Sequence, residues 1–137
     1  MLIKRKTDYA IRSILYLSQK KNKIVDVNEI AREKFIPSNF LTKILQRLKK
    51  KGIIKSFKGK NGGFYLLKNP REINILEIIE IMQGPISLNL CAVDKRKCKL
   101  SNVCSLHPLW LEMRKNIERE LKRVNFYELM KDYYKRR

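Results

Sequence analysis

Apolar residues recur along this chain at two spacings, and their order predicts a small helical domain carrying one β-hairpin. Ile11, Ile14 and Leu15 repeat at helical steps behind Thr7, whose hydroxyl suits an N-cap, and the first helix is expected to end among Lys20, Lys21 and Asn22. Asp26 followed by Glu29 has the spacing of a capping box and opens a short second helix, from Val27 to Phe35, with Ile30 and Ala31 inward. Pro37 breaks it, because proline drives the preceding residue, Ile36, out of helical geometry. The third segment has the cleanest period: Leu41, Ile44, Leu45 and Leu48 form one stripe, while Lys43, Arg47, Lys49, Lys50 and Lys51 lie mostly off it, and Gly52 is a natural stop.

The spacing then changes to that of strands. Two short runs, Ile53 to Phe57 and Phe64 to Leu67, flank Lys58-Gly59-Lys60-Asn61-Gly62-Gly63, in which Asn-Gly is a strong hairpin signal. Asn74 and Glu77 repeat the capping pattern for a fourth helix, with Ile75, Ile78, Ile79 and Met82 on one face and Gly84-Pro85 as its stop. From Ile86 to Leu106 no period is sustained. Pro108 is placed to start a last long helix, where Trp110, Met113, Ile117, Leu121 and Val124 recur at steps of three and four. Such a seam packs on its own domain or pairs with a copy of itself, and pairing into a homodimer is the expectation, since two-fold DNA readers place recognition helices on successive half-sites. Asn125 and Glu128 open a short terminal helix with Phe126, Leu129 and Met130, and Lys135-Arg136-Arg137 reads as a frayed basic tail.

Three helices followed by a basic-tipped hairpin is the order of a winged helix-turn-helix. The expected fold class is therefore mainly α with a small β-hairpin wing, joined to a long C-terminal dimerisation helix. The expected organisation is a DNA-binding region over residues 1–84, a cysteine-rich loop over 85–107, and the dimerisation helix and tail over 108–137, all in one compact domain.

Charge gives that architecture a partner. A formal net charge of +19 lies far outside the range of a neutral enzyme and points to a polyanion, nucleic acid before an anionic membrane. Lysine-rich composition alone would explain part of it, but the helix and hairpin order directs it to a double-stranded DNA operator. In a winged helix-turn-helix, side chains at the start of the helix after the turn reach base edges, which nominates Ser38, Asn39, Thr42 and Lys43, while Lys58, Lys60 and Asn61 tip the wing. The charged start Met1-Leu2-Ile3-Lys4-Arg5-Lys6 is not followed by an apolar signal core, and no run of 18 apolar residues occurs. A cytoplasmic protein with no membrane partner is expected.

The remaining chemistry sits in the aperiodic stretch. Cys91, Cys98 and Cys104 are the three cysteines, and His107 is the single histidine. An odd cysteine count without a secretion signal argues against a disulfide framework and toward metal binding or thiol chemistry. Thiolates suit iron, and a mixed cysteine and histidine set can tune a cluster's potential. Three cysteines and a histidine also suit tetrahedral zinc, although these gaps are wider than the usual knuckle, and a metal-free thiol switch is a further alternative. Lys95, Arg96, Lys97 and Lys99 would offset an anionic cluster. A redox electron carrier or enzyme is the weaker reading, because no nucleotide or flavin fingerprint is present and the helix and hairpin order would be left unexplained.

Several ordered motifs together resemble one family. They are Thr7-Asp8-Tyr9-Ala10; Ile36-Pro37 followed by Phe40-Leu41, Lys43-Ile44-Leu45-Gln46 and Leu48; Gly52-Ile53-Ile54 with Ser56; and Lys58-Gly59 with Gly62-Gly63-Phe64. This series resembles the Rrf2 family of winged-helix regulators, of the IscR-like and NsrR-like kinds, and the cysteine loop and long helix extend the likeness over essentially the whole chain. The resemblance implies a homodimeric transcription factor, most simply a repressor, whose cysteine loop holds an iron-sulfur cluster, 2Fe-2S ahead of 4Fe-4S, so that redox state, nitric oxide or cluster supply alters DNA affinity. It implies Cys91, Cys98 and Cys104 as ligands, with His107 as the fourth, or Asp8 in its place from the partner subunit. Two departures are visible: six residues separate Cys91 from Cys98, one more than the family pattern, and Lys58 stands where arginine is common.

Overall fold

The structure is a computed structural model that describes residues 2–136; Arg137, the end of the expected basic tail, lies outside the described residues. Its elements run α1 (Arg5–Gln19), α2 (Val27–Lys34), α3 (Ser38–Lys50), β1 (Ile54–Phe57), β2 (Gly63–Leu66), α4 (Ile75–Gln83), α5 (His107–Arg123) and α6 (Phe126–Arg136). The fold is mainly helical with one two-stranded antiparallel hairpin, as the periodicity predicts.

Ala10, Ile14 and Leu17 from α1, Ile30 from α2, and Leu41, Ile44, Leu45 and Leu48 from α3 meet in a single core with Ile54 and Leu66 of the hairpin. The α3 stripe is thus entirely inward, which leaves its lysines for solvent. Phe126 belongs to the same core and is fully buried. It is brought there by backbone pairing between segments far apart in sequence: Phe126 N–H donates to the Ile73 carbonyl at 3.1 Å, and Ile75 N–H to the Val124 carbonyl at 3.0 Å. Burying so large a side chain stabilises the fold by about 1.5–3 kcal/mol.

Several local expectations are corrected. Thr7 does not cap α1, which starts earlier, at Arg5; Thr7 is buried inside the helix, and its hydroxyl donates to Gln83 Oε1 at 2.7 Å. Asp26 does cap α2, accepting from Asn28 N–H at 2.7 Å, but Glu29 accepts from the Tyr16 hydroxyl instead of closing a capping box. Burial first, and that bond to Glu29 second, push the Tyr16 phenol above its ordinary range. Helix α2 stops at Lys34, because Phe35 adopts a left-handed conformation (φ 54°, ψ 49°) as the C-cap. Lys135 and Arg136 are helical rather than frayed.

The hairpin is not closed by a two-residue Asn-Gly turn. Phe57 pairs with Gly63, so the loop is residues 58–62, and Gly59, at φ 115°, supplies the positive φ. Gly63 meets a different demand. Phe64 and Val25 exchange two backbone hydrogen bonds of 2.8 Å, adding the α1–α2 connection to the hairpin edge, and a Cβ on Gly63 would lie 2.2 Å from the Val25 carbonyl oxygen.

The α5 seam also has a local use. Ile117 and Leu121 pack on Leu76 and Ile79 of α4 and on Ile86, so part of the stripe read as a pairing seam is covered by the chain itself.

Candidate DNA interface and cysteine loop

Ser38, Asn39, Thr42 and Lys43 all lie on α3 and are exposed, and Lys58, Lys60 and Asn61 are exposed on the wing loop. On α3 the buried stripe Leu41, Ile44, Leu45 and Leu48 leaves these polar positions on the solvent side, while residues 58–61 of the wing loop are all exposed beyond the paired strands. Thr42 is steadied by its hydroxyl, which donates to the Ser38 carbonyl at 3.1 Å. Two aromatic side chains accompany these polar groups: Phe40 on α3 and Phe57 at the end of β1 are both more than half exposed.

Helix α3 is also fastened from behind. Arg47 Nε donates to the Ile81 carbonyl at 2.6 Å, tying α3 to α4. At the end of α4, Gln83 binds the N-terminal segment three times. Its Oε1 accepts from Lys4 N–H at 3.0 Å and from the Thr7 hydroxyl, and its Nε2 donates to the Leu2 carbonyl at 3.1 Å.

The cysteine stretch contains two short 3-10 turns, at Leu90–Ala92 and Lys95–Lys97. Cys91 is buried on the first turn, Cys98 is exposed after the second, and Cys104 is half-buried before α5; all three are free thiols. Side chains that carry no family motif organise this stretch. Arg114 Nη1 donates to the Ala92 carbonyl at 2.6 Å while its Nε donates to Glu118 at 2.7 Å, which fixes the Cys91 turn to α5. The buried Ser101 hydroxyl lies 2.9 Å from the Lys95 carbonyl and 3.0 Å from that of Cys98. Arg96 forks onto Asp94, and its side-chain bonds followed by its backbone N–H hold the Asp94 carboxyl below the usual carboxylate range. The Arg96 charge, expected to offset an anionic cluster, is therefore already paired with Asp94.

His107 opens α5, is 8% exposed, and its Nδ1 is buried with no hydrogen-bond partner among the described residues. A buried polar nitrogen left unpaired is costly, and a ligand bond would satisfy it. Asp8, the alternative fourth ligand, pairs with Arg12 Nη2 at 2.6 Å one turn along α1. Three thiols and an orphaned imidazole nitrogen fit a thiolate-held iron centre in donor type. Among the described residues, however, no three His, Cys, Asp or Glu side chains stand together closely enough to hold a metal ion. Gathering Cys91, Cys98 and Cys104 around one centre requires the loop to rearrange.

Comparison with known proteins agrees with this architecture. The chain is 39% identical over 103 residues to the HTH-type transcriptional regulator NsrR of Shouchella clausii (strain KSM-K16), which covers 74% of this chain and 66% of that one. Among solved structures, T. potens IscR superposes with a TM-score of 0.74 at 23% identity, over 97% of this chain and 88% of that one. CymR, the global cysteine regulator of B. subtilis, superposes with a TM-score of 0.78 at 22% identity, over 96% of this chain and 97% of that one. At such identities these two structures establish the winged-helix fold. Residues 3–132 match the Rrf2 family, described as an iron-dependent transcriptional regulator, and the chain belongs to that family of regulators, which are not enzymes.

Proposed function

We propose that this Rrf2 regulator is a cytoplasmic homodimeric repressor that reads a DNA operator with Ser38, Asn39, Thr42 and Lys43 of α3 and with Lys58, Lys60 and Asn61 of the wing, and that an iron-sulfur cluster sets its affinity. Cys91, Cys98, Cys104 and His107 would hold the cluster, which would supply a redox- and nitric-oxide-sensitive centre. The observation that carries this reading is the buried Nδ1 of His107, unpartnered at the start of α5 and adjoining a loop with three free thiols.

Cys91 is coupled through Arg114 to α5, and α5 is the element that sets the partner's position in the proposed dimer. Exposed Leu90, Leu100, Val103, Leu106 and Leu109 on the loop and the start of α5 give a second copy an apolar surface to cover. Rearrangement of the loop therefore shifts the spacing of two reading helices without touching a DNA-contacting residue, provided the two states differ in binding free energy. The described helices include none long and apolar enough to cross a membrane.

Anaerobically purified protein should contain iron and acid-labile sulfide, or accept them on reconstitution, and its operator affinity should change when the colour is bleached. Cys98→Ala should abolish colour and response while leaving the fold intact. Zinc, or no metal after attempted reconstitution, overturns the cluster. The dispersal of the donors and the exposure of Cys98 favour, as second reading, a thiol switch without a cluster. In that case reversible oxidation of Cys98 changes operator affinity in protein free of iron.

A further inference from the structure

A cleft of about 530 Å3 opens beside the reading helix, between the start of α1 and the side of α3, with Met82 of α4 in its wall. Among the described residues four cations line it, Lys6, Lys43, Arg47 and Lys50, and no carboxylate does. Of these only Lys43 belongs to the base-reading set argued above. We propose that this cleft is a backbone-phosphate site in the operator complex, in which Lys6 and Lys50 contact the phosphodiester strand flanking the groove that α3 enters; the proposal rests on the DNA-binding reading.

Charge complementarity selects the occupant. A cleft with four cations and no acid is repelled by cations and by basic peptides, and it adjoins a helix whose exposed end faces the duplex. Phosphates on the strand beside a major groove are spaced along the same direction as the helix lying in it, so cations on the flank of α3 and on a neighbouring helix reach successive phosphates. Arg47 is held back by its bond to the Ile81 carbonyl, and Lys43 is assigned above to the bases, which leaves Lys6 and Lys50 for the strand.

Lys6 is presented by a braced segment rather than a loose end. Gln83 clamps Leu2, Lys4 and Thr7, so the first turn of α1 is fixed relative to α4, and α4 is fixed to α3 through Arg47. Gln83 is thus a positioning residue for Lys6. Gly84, the next residue, begins the connection to the cysteine loop, so displacement of that connection would move Lys6 with it.

The test is the salt dependence of binding to two duplexes, one selected from a random pool by the wild-type protein and one of random sequence. Each phosphate contact contributes about 0.9 to the slope of log affinity against log salt. Lys6→Gln and Lys50→Gln should each lower the slope by about that amount on both duplexes, so that raising salt from about 50 to 200 mM costs each variant roughly 3.5-fold less affinity than it costs the wild type. Lys115→Gln, the same charge change on α5, should leave the slope unchanged. Gln83→Ala should lower the slope as Lys6→Gln does, and adding Lys6→Gln to it should produce little more, a non-additivity that simple destabilisation would not give. Wild-type slopes for both Lys6→Gln and Lys50→Gln overturn the cleft assignment alone. Failure of the wild type to bind either duplex overturns the DNA-binding reading and the cleft together.

Discussion

Arg114 on α5 donates to the carbonyl of Ala92 across 2.6 Å, joining the residue that follows Cys91 to the long helix. A charge-assisted bond of this kind contributes about 1.5–3 kcal/mol when its loss leaves a carbonyl unpaired. Arg114→Met should therefore free the Cys91 turn. Alkylation of the buried Cys91 thiol should accelerate roughly tenfold or more, since each 1.4 kcal/mol of opening free energy is about a factor of ten, while the already exposed Cys98 reacts at an unchanged rate. Mass-spectrometric site-resolved alkylation checks both. Equal acceleration at the two cysteines would mean that global unfolding, not the local tie, had been altered.

Phe126→Ala should cost about 3–5 kcal/mol, the range for emptying a fully buried aromatic site. Urea denaturation followed by helical circular dichroism measures it. Because Phe126 sits in the core that holds α3, the loss should appear as destabilisation of the whole cooperative unit rather than as fraying of α6. A separate early transition would show that α6 melts independently.

Gly63→Ala drives a Cβ into the Val25 carbonyl, which cannot withdraw without breaking the Val25–Phe64 pairing. The strain should cost about 1–3 kcal/mol, the usual penalty for overpacking. It should also loosen the wing from the α1–α2 connection. Amide exchange at Val25 and Phe64 should speed up, with α4 and α5 unaffected.

On the DNA side, Asn39→Ala and Lys43→Ala should each relax base preference at one operator position by about 1–3 kcal/mol if they contact base edges, read by competition among single-base operator variants. Lys60→Ala should instead weaken all sequences alike and lower the salt slope by about 0.9. A uniform loss for Asn39→Ala would move that residue from reading bases to contacting backbone.

Asp94 has a folded-state pKa below its unfolded value because of its side-chain and backbone bonds from Arg96. Its contribution to the turn is complete above the unfolded value, about 3.9, and is lost as pH falls through the lower folded value. The Lys95–Lys97 turn should therefore loosen only in strong acid. Asp94→Asn should remove that acid-dependent step, followed by the Arg96 amide resonance from pH 6 to 2.

Rules confined to one helix or one turn were the ones the amino-acid order displayed. The Leu41 to Leu48 stripe, the Asn74 cap, which accepts from Glu77 N–H at 2.9 Å, and Pro108 in the first turn of α5 all depend on neighbours within a turn or two. For Thr7 and Glu29 the sequence points to a local partner, but a distant one wins: Gln83 for Thr7, Tyr16 for Glu29. The α5 stripe was ambiguous for the same reason, since an apolar face looks the same whether α4 or a second chain covers it. Gln83, Ser101 and Arg114 carried no readable signal at all. Each is an ordinary polar residue whose role exists only once another segment has been placed beside it.

The position of Phe126 in the first core sets a timetable for synthesis. Helix α3 and the wing are complete in sequence by Gly84, yet their core lacks a piece that lies 42 residues further on. At about 5–20 residues per second the nascent chain spends about 2–8 s with an unfinished, strongly basic DNA-binding half emerging from a ribosome made of RNA. During that interval its lysines are available to any polyanion, while its apolar groove still awaits the returning helix. Chains shortened before Phe126 would remain in that state, and premature termination should yield sticky, nucleic-acid-coated fragments rather than a free miniature regulator.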